Sequence, residues 1–383
     1  MPWKIISAMD QKIQLIADWQ SKNLSLTDLS QKYGISRPTV YKLIERYEQR
    51  GIEGLKEQSR APKTCPHKTP EKVINLVIQE KLKNRKRGPR KIRAQLKRQY
   101  SNLELPAVST IAYWLKKEGL VEKRKKRLRV PPYTQPFCEC KAPNDVWSID
   151  YKGQFYMKNG HVCYPLTISD NLSRFLLGCK ALEGPRYAPT KEVLIETFRK
   201  YGLPDAIRSD NGTPFVGKGV GGLSRLSIWF IQLGIIPERI EKGCPQENGR
   251  HECMHRTLKS DALDQIARNF KEQQERFDIF RLDYNNERPH ESLNDQTPNE
   301  FYKKSNRPYV EHPHSPEYGY EYTVRHVKHS GEIKFKGRMF YVTGLLAKQP
   351  VGLKETADGL WQLQYSFYVL GSVDLRKNKI IRN

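Results

Sequence analysis

Val146-Trp147-Ser148-Ile149-Asp150-Tyr151 and Ile207-Arg208-Ser209-Asp210-Asn211-Gly212 decide how this chain reads. Each is a short apolar run closed by an aspartate, the pattern of a buried strand with a polar end. Strand ends are where a sheet presents polar groups to a crevice. Two such strands side by side bring Asp150 and Asp210 to one place. Between and after them the pattern predicts strands over residues 153–157, 161–168 and 175–181. A helix over 191–201 and a short strand over 204–209 follow. Next come a helix over 223–233, an extended piece at 237–240, a long helix from Gly249 to about Phe270 and another over 273–285. Strands first, then helix and strand in turn, imply a mixed sheet flanked by helices.

Two neighbouring carboxylates can share a metal ion, and Mg²⁺ suits them because it takes hard oxygen ligands. A third carboxylate is needed to hold a second ion. Glu247 and Glu252 compete for that place. Glu247 lies in Cys244-Pro-Gln-Glu-Asn-Gly249, a segment with loop chemistry. Glu252 falls in the first turn after Gly249, a rigid position whose side chain points back over the helix start. Glu252 is the better candidate. Arg256 and Lys259 follow on its stripe and can grip phosphate. Leu258, Ala262 and Ile266 form a separate apolar stripe. Asp170 reads as a turn-closing residue between strands. His251 and His255 are given no catalytic role; they touch DNA or cover the helix surface.

Upstream, residues 8–60 read as a compact helical unit. Ser25-Leu-Thr-Asp28 is a capping-box-like start, Gly34 supplies a turn, and Ser36 opens a third helix carrying Val40, Leu43, Ile44 and Tyr47. Two short helices with a glycine turn make a helix-turn-helix. Arg37, Thr39, Tyr41 and Lys42 lie off its apolar stripe and are candidate DNA contacts. Pro62, Pro66 and Pro70 mark a linker. A second helical unit runs from Glu71 to about Gly119. Its middle helix carries Arg90, Lys91 and Arg93, also candidate DNA contacts, and its third carries Ile111, Trp114 and Leu115. From Glu122 to Arg129, six of eight residues are Lys or Arg.

Charge supports this division. The chain of 383 residues carries a formal charge of +25. Residues 1–140 hold 31 basic and 13 acidic groups, against 36 and 29 in the remainder. A basic first third points to a polyanion partner. No stretch reaches the roughly 18 apolar residues of a membrane span, and the N-terminus lacks a signal-peptide layout. A cytoplasmic protein, nucleoid-associated when bound to DNA, is expected. Seven irregularly spaced cysteines imply neither a disulfide framework nor a four-ligand zinc site; free buried thiols are expected, Cys138-Glu-Cys140 included. Residues 302–320 read as a linker rich in Pro, His and Tyr. From Glu321 onward, short β-like runs punctuated by Gly read as a small all-β barrel.

With these residues in hand, the chain resembles the DDE transposases of bacterial insertion sequences, those with a retroviral-integrase-like core. The resemblance is carried by Asn144-Asp-Val-Trp-Ser-Ile-Asp150, Arg208-Ser-Asp210-Asn-Gly-Thr-Pro-Phe215, Pro245-Gln-Glu-Asn-Gly-Arg-His-Glu252 and Tyr284-Asn-Asn-Glu-Arg-Pro-His290-Glu-Ser-Leu293, with Thr297-Pro298 after them. It implies a multidomain α+β chain. Helix-turn-helix units would occupy residues 1–60 and, with a basic linker, 61–130. An RNase H-like α/β catalytic core would span 140–305 and a small β-barrel 320–383. It further implies Asp150, Asp210 and Glu252 as ligands of two Mg²⁺ ions, with Mn²⁺ as a substitute. The partners would be double-stranded DNA, both terminal inverted repeats and target, and further copies of the chain in a dimer or larger assembly. The implied activity is metal-dependent strand cleavage and strand transfer. A non-catalytic DNA-binding regulator is the rival. One departure is the spacing. There are 41 residues between Asp210 and Glu252, longer than the family's, whereas Glu247 would give 36. The Gly-rich stretch Val216 to Gly222 absorbs the excess as a loop.

Overall fold

A computed structural model describes residues 7–57, 69–121, 140–217, 222–240, 249–264 and 266–382. Glu247, Cys138, most of the Pro-rich linker, the basic run at 122–129 and part of the Gly-rich loop lie outside the described residues.

Residues up to Lys68 form one compact unit. It holds α1 (Ala8–Gln20), α2 (Leu26–Lys32) and α3 (Arg37–Arg50). The hydroxyl of Ser25 accepts from the Asp28 amide, and the Asp28 carboxylate accepts from the Ser25 amide at 3.0 Å. This reciprocal cap satisfies two amides that the first turn leaves without helical partners. Ser25→Ala is expected to cost about 1 kcal/mol, read from denaturant unfolding of this unit; an unchanged midpoint would show that the cap contributes nothing. Ser36 stands at the N-cap of α3, but its hydroxyl meets Thr39 Oγ1 at 2.8 Å instead of a backbone amide. Leu15, Ile16, Leu29, Val40, Leu43, Ile44 and Leu55 make the core. On α1, Leu15 and Ile16 face this core while Ile13 turns outward.

The rest of the chain forms a second unit. It opens with α4 (Glu71–Lys83), α5 (Pro89–Gln99) and α6 (Val108–Lys117), packed through Val77, Ile92, Leu96, Ile111 and Leu115. Charge ties these helices to the sheet domain that follows. Arg87, only 2% exposed, pairs with Asp283 at 2.7 Å and with buried Glu80 at 3.9 Å, and also meets Gln95. Arg90 pairs with Glu291 and Asp295, and Arg98 with Glu300.

The central sheet is made of β1 (Val146–Tyr151), β2 (Phe155–Tyr156), β3 (Val162–Asp170), β4 (Leu176–Leu182), β5 (Ala206–Ser209) and β6 (Ile236–Arg239). The order is β2-β3-β1-β5-β6, with β4 also on β3. β1 runs antiparallel to β3 and parallel to β5, which runs parallel to β6. One face packs Trp147, Ile149, Leu166 and Ile168 against α7 (Tyr187–Tyr201) and α8 (Arg225–Gln232). The other packs Cys163, Leu176 and Cys179 against α9 (Gly249–Asp261) and α10 (Phe270–Leu282). A mixed sheet between helices is thus observed. The long helix expected to reach Phe270 stops at Asp261, and α10 begins anew at an Asn269 cap whose side chain accepts from the Glu272 amide. Ile266 consequently leaves the apolar stripe, 37% exposed, while Leu258 and Ala262 stay buried. A short α11 (Pro298–Phe301) follows.

The segment after α11 is pinned rather than free. Tyr302 stacks on Phe175 with ring centres 4.3 Å apart. The backbone oxygen of Arg307 accepts from the Leu203 amide, and its guanidinium reaches Pro204 O, Gly234 O and the Asp205 carboxylate, each at 2.8 Å. Gly202 has φ +81°, and a Cβ there would lie 2.8 Å from the backbone oxygens of Ser305 and Arg307. Only glycine fits on both counts.

The C-terminal strands are β7 (Thr323–His326), β8 (Glu332–Phe335), β9 (Arg338–Tyr341), β10 (Pro350–Ala357), β11 (Leu360–Tyr365), β12 (Tyr368–Asp374) and β13 (Lys379–Arg382). They differ from the expected barrel. Five form an open sheet, β13-β12-β11-β10-β7, and β8-β9 is a separate hairpin. Between β11 and β12 the chain turns at Ser366, whose φ is +53°. Val351, Leu353, Leu363 and Leu370 share a core with Leu223, Ile228 and Ile231 beside α8, which gives the open sheet its cover.

Candidate active site

The parallel register of β1 and β5 pairs Ile149 with Ser209. The next residues, Asp150 still within β1 and Asp210 just past the end of β5, therefore fall on neighbouring strands. Alternation along β1 and β3 sends Trp147, Ile149, Leu166 and Ile168 to the α7 face and Ser148, Asp150, Thr167 and Ser169 to the α9 face. Asp150 lies opposite Thr167 in the antiparallel register. The carboxylate of Asp210 accepts from the Gly212 amide at 3.1 Å, and the Asn211 amide group donates to Ile240 O at 2.7 Å, fixing the turn that carries it. Glu252 sits in the first turn of α9. Asp150, Glu252, Lys152, His255, Arg256 and Lys259 line one open cleft.

Electrostatics joins the three acids. Burial pushes the Asp150 carboxyl up to about 7; the negative charge of Asp210 adds to this, and that of Glu252 contributes as well. Burial also raises Asp210. The charges of Asp210 and Glu252 both bear on Asp150, although Asp210 lies outside the lining of the cleft that Asp150 and Glu252 share, and a divalent cation at Asp150 would relieve that repulsion and take carboxylate oxygens as ligands.

His251 and His255 are not surface cover. They are 1% and 6% exposed. Both Nε2 atoms lie 2.7 Å from the hydroxyl of Thr167, and His251 Nδ1 lies 3.0 Å from that of Ser169. Burial lowers both rings well below the usual histidine range, and for His255 the nearby His251 and Lys152 add to the effect. Asp150, His251 and His255 each offer an atom within 4.8 Å of the others. The signal in the sequence was the polar alternation Thr167, Ser169 inside an apolar strand, matched by histidines at i and i+4 on α9. Asp170 closes the β3–β4 turn, accepting from the Ser173 amide and hydroxyl, and also holds the Asn144 amide at 2.8 Å. Asn144 in turn accepts from Trp147 Nε1 and Tyr302, so this asparagine ties β1 to the strap.

Elsewhere, Arg37, Thr39, Tyr41 and Lys42 are all exposed on α3. The α5 candidates are committed within the chain. Arg90 is held by Glu291 and Asp295, and Arg93 donates to Pro106 O at 2.9 Å. Lys91 is largely buried, which pushes its ammonium down to about 8, with Arg288 and Arg87 adding to the shift. Of the cysteines, Cys163 and Cys179 are buried free thiols, whereas Cys253 is exposed. No helix among the described residues is long and apolar enough to cross a membrane.

Family models described as an integrase core domain match residues 141–245 and 233–298. A helix-turn-helix domain matches 11–63, a homeodomain-like domain 39–115, and an IS481 family transposase C-terminal domain 322–381. The chain resembles insertion-sequence transposases with an integrase-type core. Asp150 and Asp210 fall in the first integrase-core match and Glu252 in the second. A protein of insertion element IS407 from Burkholderia multivorans is 27% identical over 48% of this chain and 64% of its own length. One of insertion element IS476 from Xanthomonas euvesicatoria is 26% identical over 47% and 51%. The chain thus spans between half and two thirds of these relatives. The magnesium-bound integrase catalytic core domain of HTLV-2 is similar at 13% identity and a TM-score of 0.35, over 43% of this chain and all of that domain.

Proposed function

We propose that this integrase-type protein is a transposase that cuts and joins DNA at the Asp150–Asp210–Glu252 cleft. The observation that supports the reading is the β1–β5 register, which sets Asp150 and Asp210 on neighbouring strands, together with Glu252 lining the same cleft as Asp150. Asp150, Asp210 and Glu252 would hold two Mg²⁺ ions, or Mn²⁺ in their place. Such ions, when bound, activate an attacking oxygen and stabilise a leaving one. Lys259 and Arg256, on the same cleft wall, would hold the phosphodiester in line for displacement. Water first releases a 3′-hydroxyl at the element's end; that hydroxyl then displaces another at a target phosphodiester. Both are displacements at phosphorus, so one cleft serves both.

Four functional segments follow: a reader of DNA ends at 1–60, a second basic unit at 61–130, the catalytic core at 140–305 and a β unit at 320–383 that contacts DNA or another subunit. Arg37, Thr39, Tyr41 and Lys42 are the proposed base and phosphate contacts of α3. Pairing two ends calls for at least a dimer.

The test is to incubate the full chain with labelled terminal-repeat DNA, plasmid and Mg²⁺. Joined product is expected. End binding without cleavage or joining by the unmodified chain would instead support the regulator. A fragment of residues 1–130 is expected to bind end DNA with a steep salt dependence, log Kd rising by several units per unit of log salt. Equal affinity for unrelated DNA at every salt concentration would remove the sequence-reading role.

A further inference from the structure

The hydroxyl of Thr167 has one proton and two lone pairs. It lies 3.0 Å from the backbone oxygen of Asp150, which can only accept. It also lies 2.7 Å from Nε2 of His251 and of His255. The single proton goes to the Asp150 oxygen, so both rings donate from Nε2 into the lone pairs. That fixes both tautomers and leaves Nδ1 as the acceptor nitrogen of each uncharged ring. His251 uses its Nδ1 on the Ser169 hydroxyl at 3.0 Å. His255 does not. Its Nδ1 lies 3.8 Å from Oδ2 of Asp150, and the residue lines the cleft.

A separation of 3.8 Å is too long for a hydrogen bond. It does suit two ligands of one ion. Donors about 2.1 Å from a common cation lie roughly 3.0 Å apart at a right angle and roughly 4.2 Å apart in line. We propose that Nδ1 of His255 is a ligand of the cation held by Asp150, making this corner of the cleft a mixed nitrogen and oxygen site. His251 is a positioning residue: with its own nitrogens occupied, it holds Thr167, which in turn orients the His255 ring. An imidazole ligand favours Mn²⁺ over Mg²⁺ relative to an all-oxygen set.

The inference rests on the reading of Asp150 as a metal ligand, and the experiment separates the two. Mn²⁺ is bound to the full-length chain and examined by pulsed electron paramagnetic resonance. A directly bonded ¹⁴N coupling is expected, converting to a ¹⁵N pattern in protein grown on ¹⁵N-histidine. The coupling should vanish in His255→Asn and persist in His251→Gln. His255→Asn should weaken Mn²⁺ about tenfold and Mg²⁺ distinctly less. The labelled, unsubstituted protein needs no variant, so the measurement stands even where a substitution prevents folding. Mn²⁺ bound in an Asp150-dependent way without directly bonded nitrogen would overturn the His255 ligand and leave the carboxylate site intact. Absence of Mn²⁺ binding, or binding indifferent to Asp150→Asn, would overturn both.

Discussion

Asp150→Asn is expected to yield a chain that is more stable without metal and inactive with it. The Asp150 side chain is 18% exposed. Its carboxyl is pushed from an ordinary 3.8 up to about 7, by burial first and by Asp210 next. The folded chain thus keeps this proton to higher pH than the unfolded chain. Stability from the protonated form is present below about 4 and is lost as pH rises towards about 7. At pH 8 the ionised carboxylate costs the metal-free fold on the order of 2–4 kcal/mol. The two lowered histidines do not confuse the comparison there, because both are neutral in folded and unfolded chains at that pH. An asparagine carries no such charge, so the metal-free melting midpoint should rise by about 5 °C. Strand transfer should fall on the order of 10³-fold or more. Mg²⁺ should raise the midpoint of the parent and leave that of the variant unmoved. A variant that melts lower than its parent, or still joins DNA, would remove Asp150 from the site.

Arg87→Ala should be the most damaging change away from the cleft. Arg87 and Glu80 are each 2% exposed, and Arg87 also reaches Asp283 at 2.7 Å. Its backbone oxygen accepts from Lys81 at 2.9 Å, so the residue orders the turn before α5 as well. Removing the guanidinium leaves a buried carboxylate with Lys83, 3.7 Å away and mostly exposed. Breaking one side of a buried pair costs on the order of 3–5 kcal/mol. Amide exchange in α4 and α5 should accelerate far more than in the central sheet. Arg87→Met combined with Glu80→Gln should recover part of the loss, because the volume is kept and the fully buried charge goes with its partner, leaving only the part-exposed Asp283 unpaired. A midpoint for Arg87→Ala within experimental error of the parent would show that the contact does not hold the helices to the core.

The two aspartate-ended strands were legible because local rules suffice: apolar alternation sets the strand, and the carboxylate marks its end. The caps at Ser25 and Asn269 obey equally local chemistry, although the apolar spacing that runs through residue 266 masks the latter. The sequence pattern overruns α9 because Leu258, Ala262 and Ile266 keep helical spacing past the point where the backbone turns away. The roles of His251 and His255 were hidden, since a histidine on a charged helix looks solvated until the strand facing it is known. The engagement of Arg90 by Glu291 and Asp295 joins residues about 200 positions apart. Charge composition counts such a side chain as available to DNA, whereas the fold has already given it a partner. The C-terminal strand pattern leaves closure open for a related reason. Seven strands punctuated by glycine suit either a closed or an open arrangement, and the apolar residues around α8 supply the cover that closure would otherwise provide.

The strap through Tyr302 and Arg307 has a mechanical consequence. Arg307 grips the carbonyls at the end of α8 and at the entry to β5, while the chain beyond it leads into the C-terminal sheet. Five residues separate Pro204 from Asp210. A load applied to the C-terminal sheet would therefore pass through Arg307 to the strand that leads to Asp210, so the far end of this unit and the turn after β5 are mechanically linked.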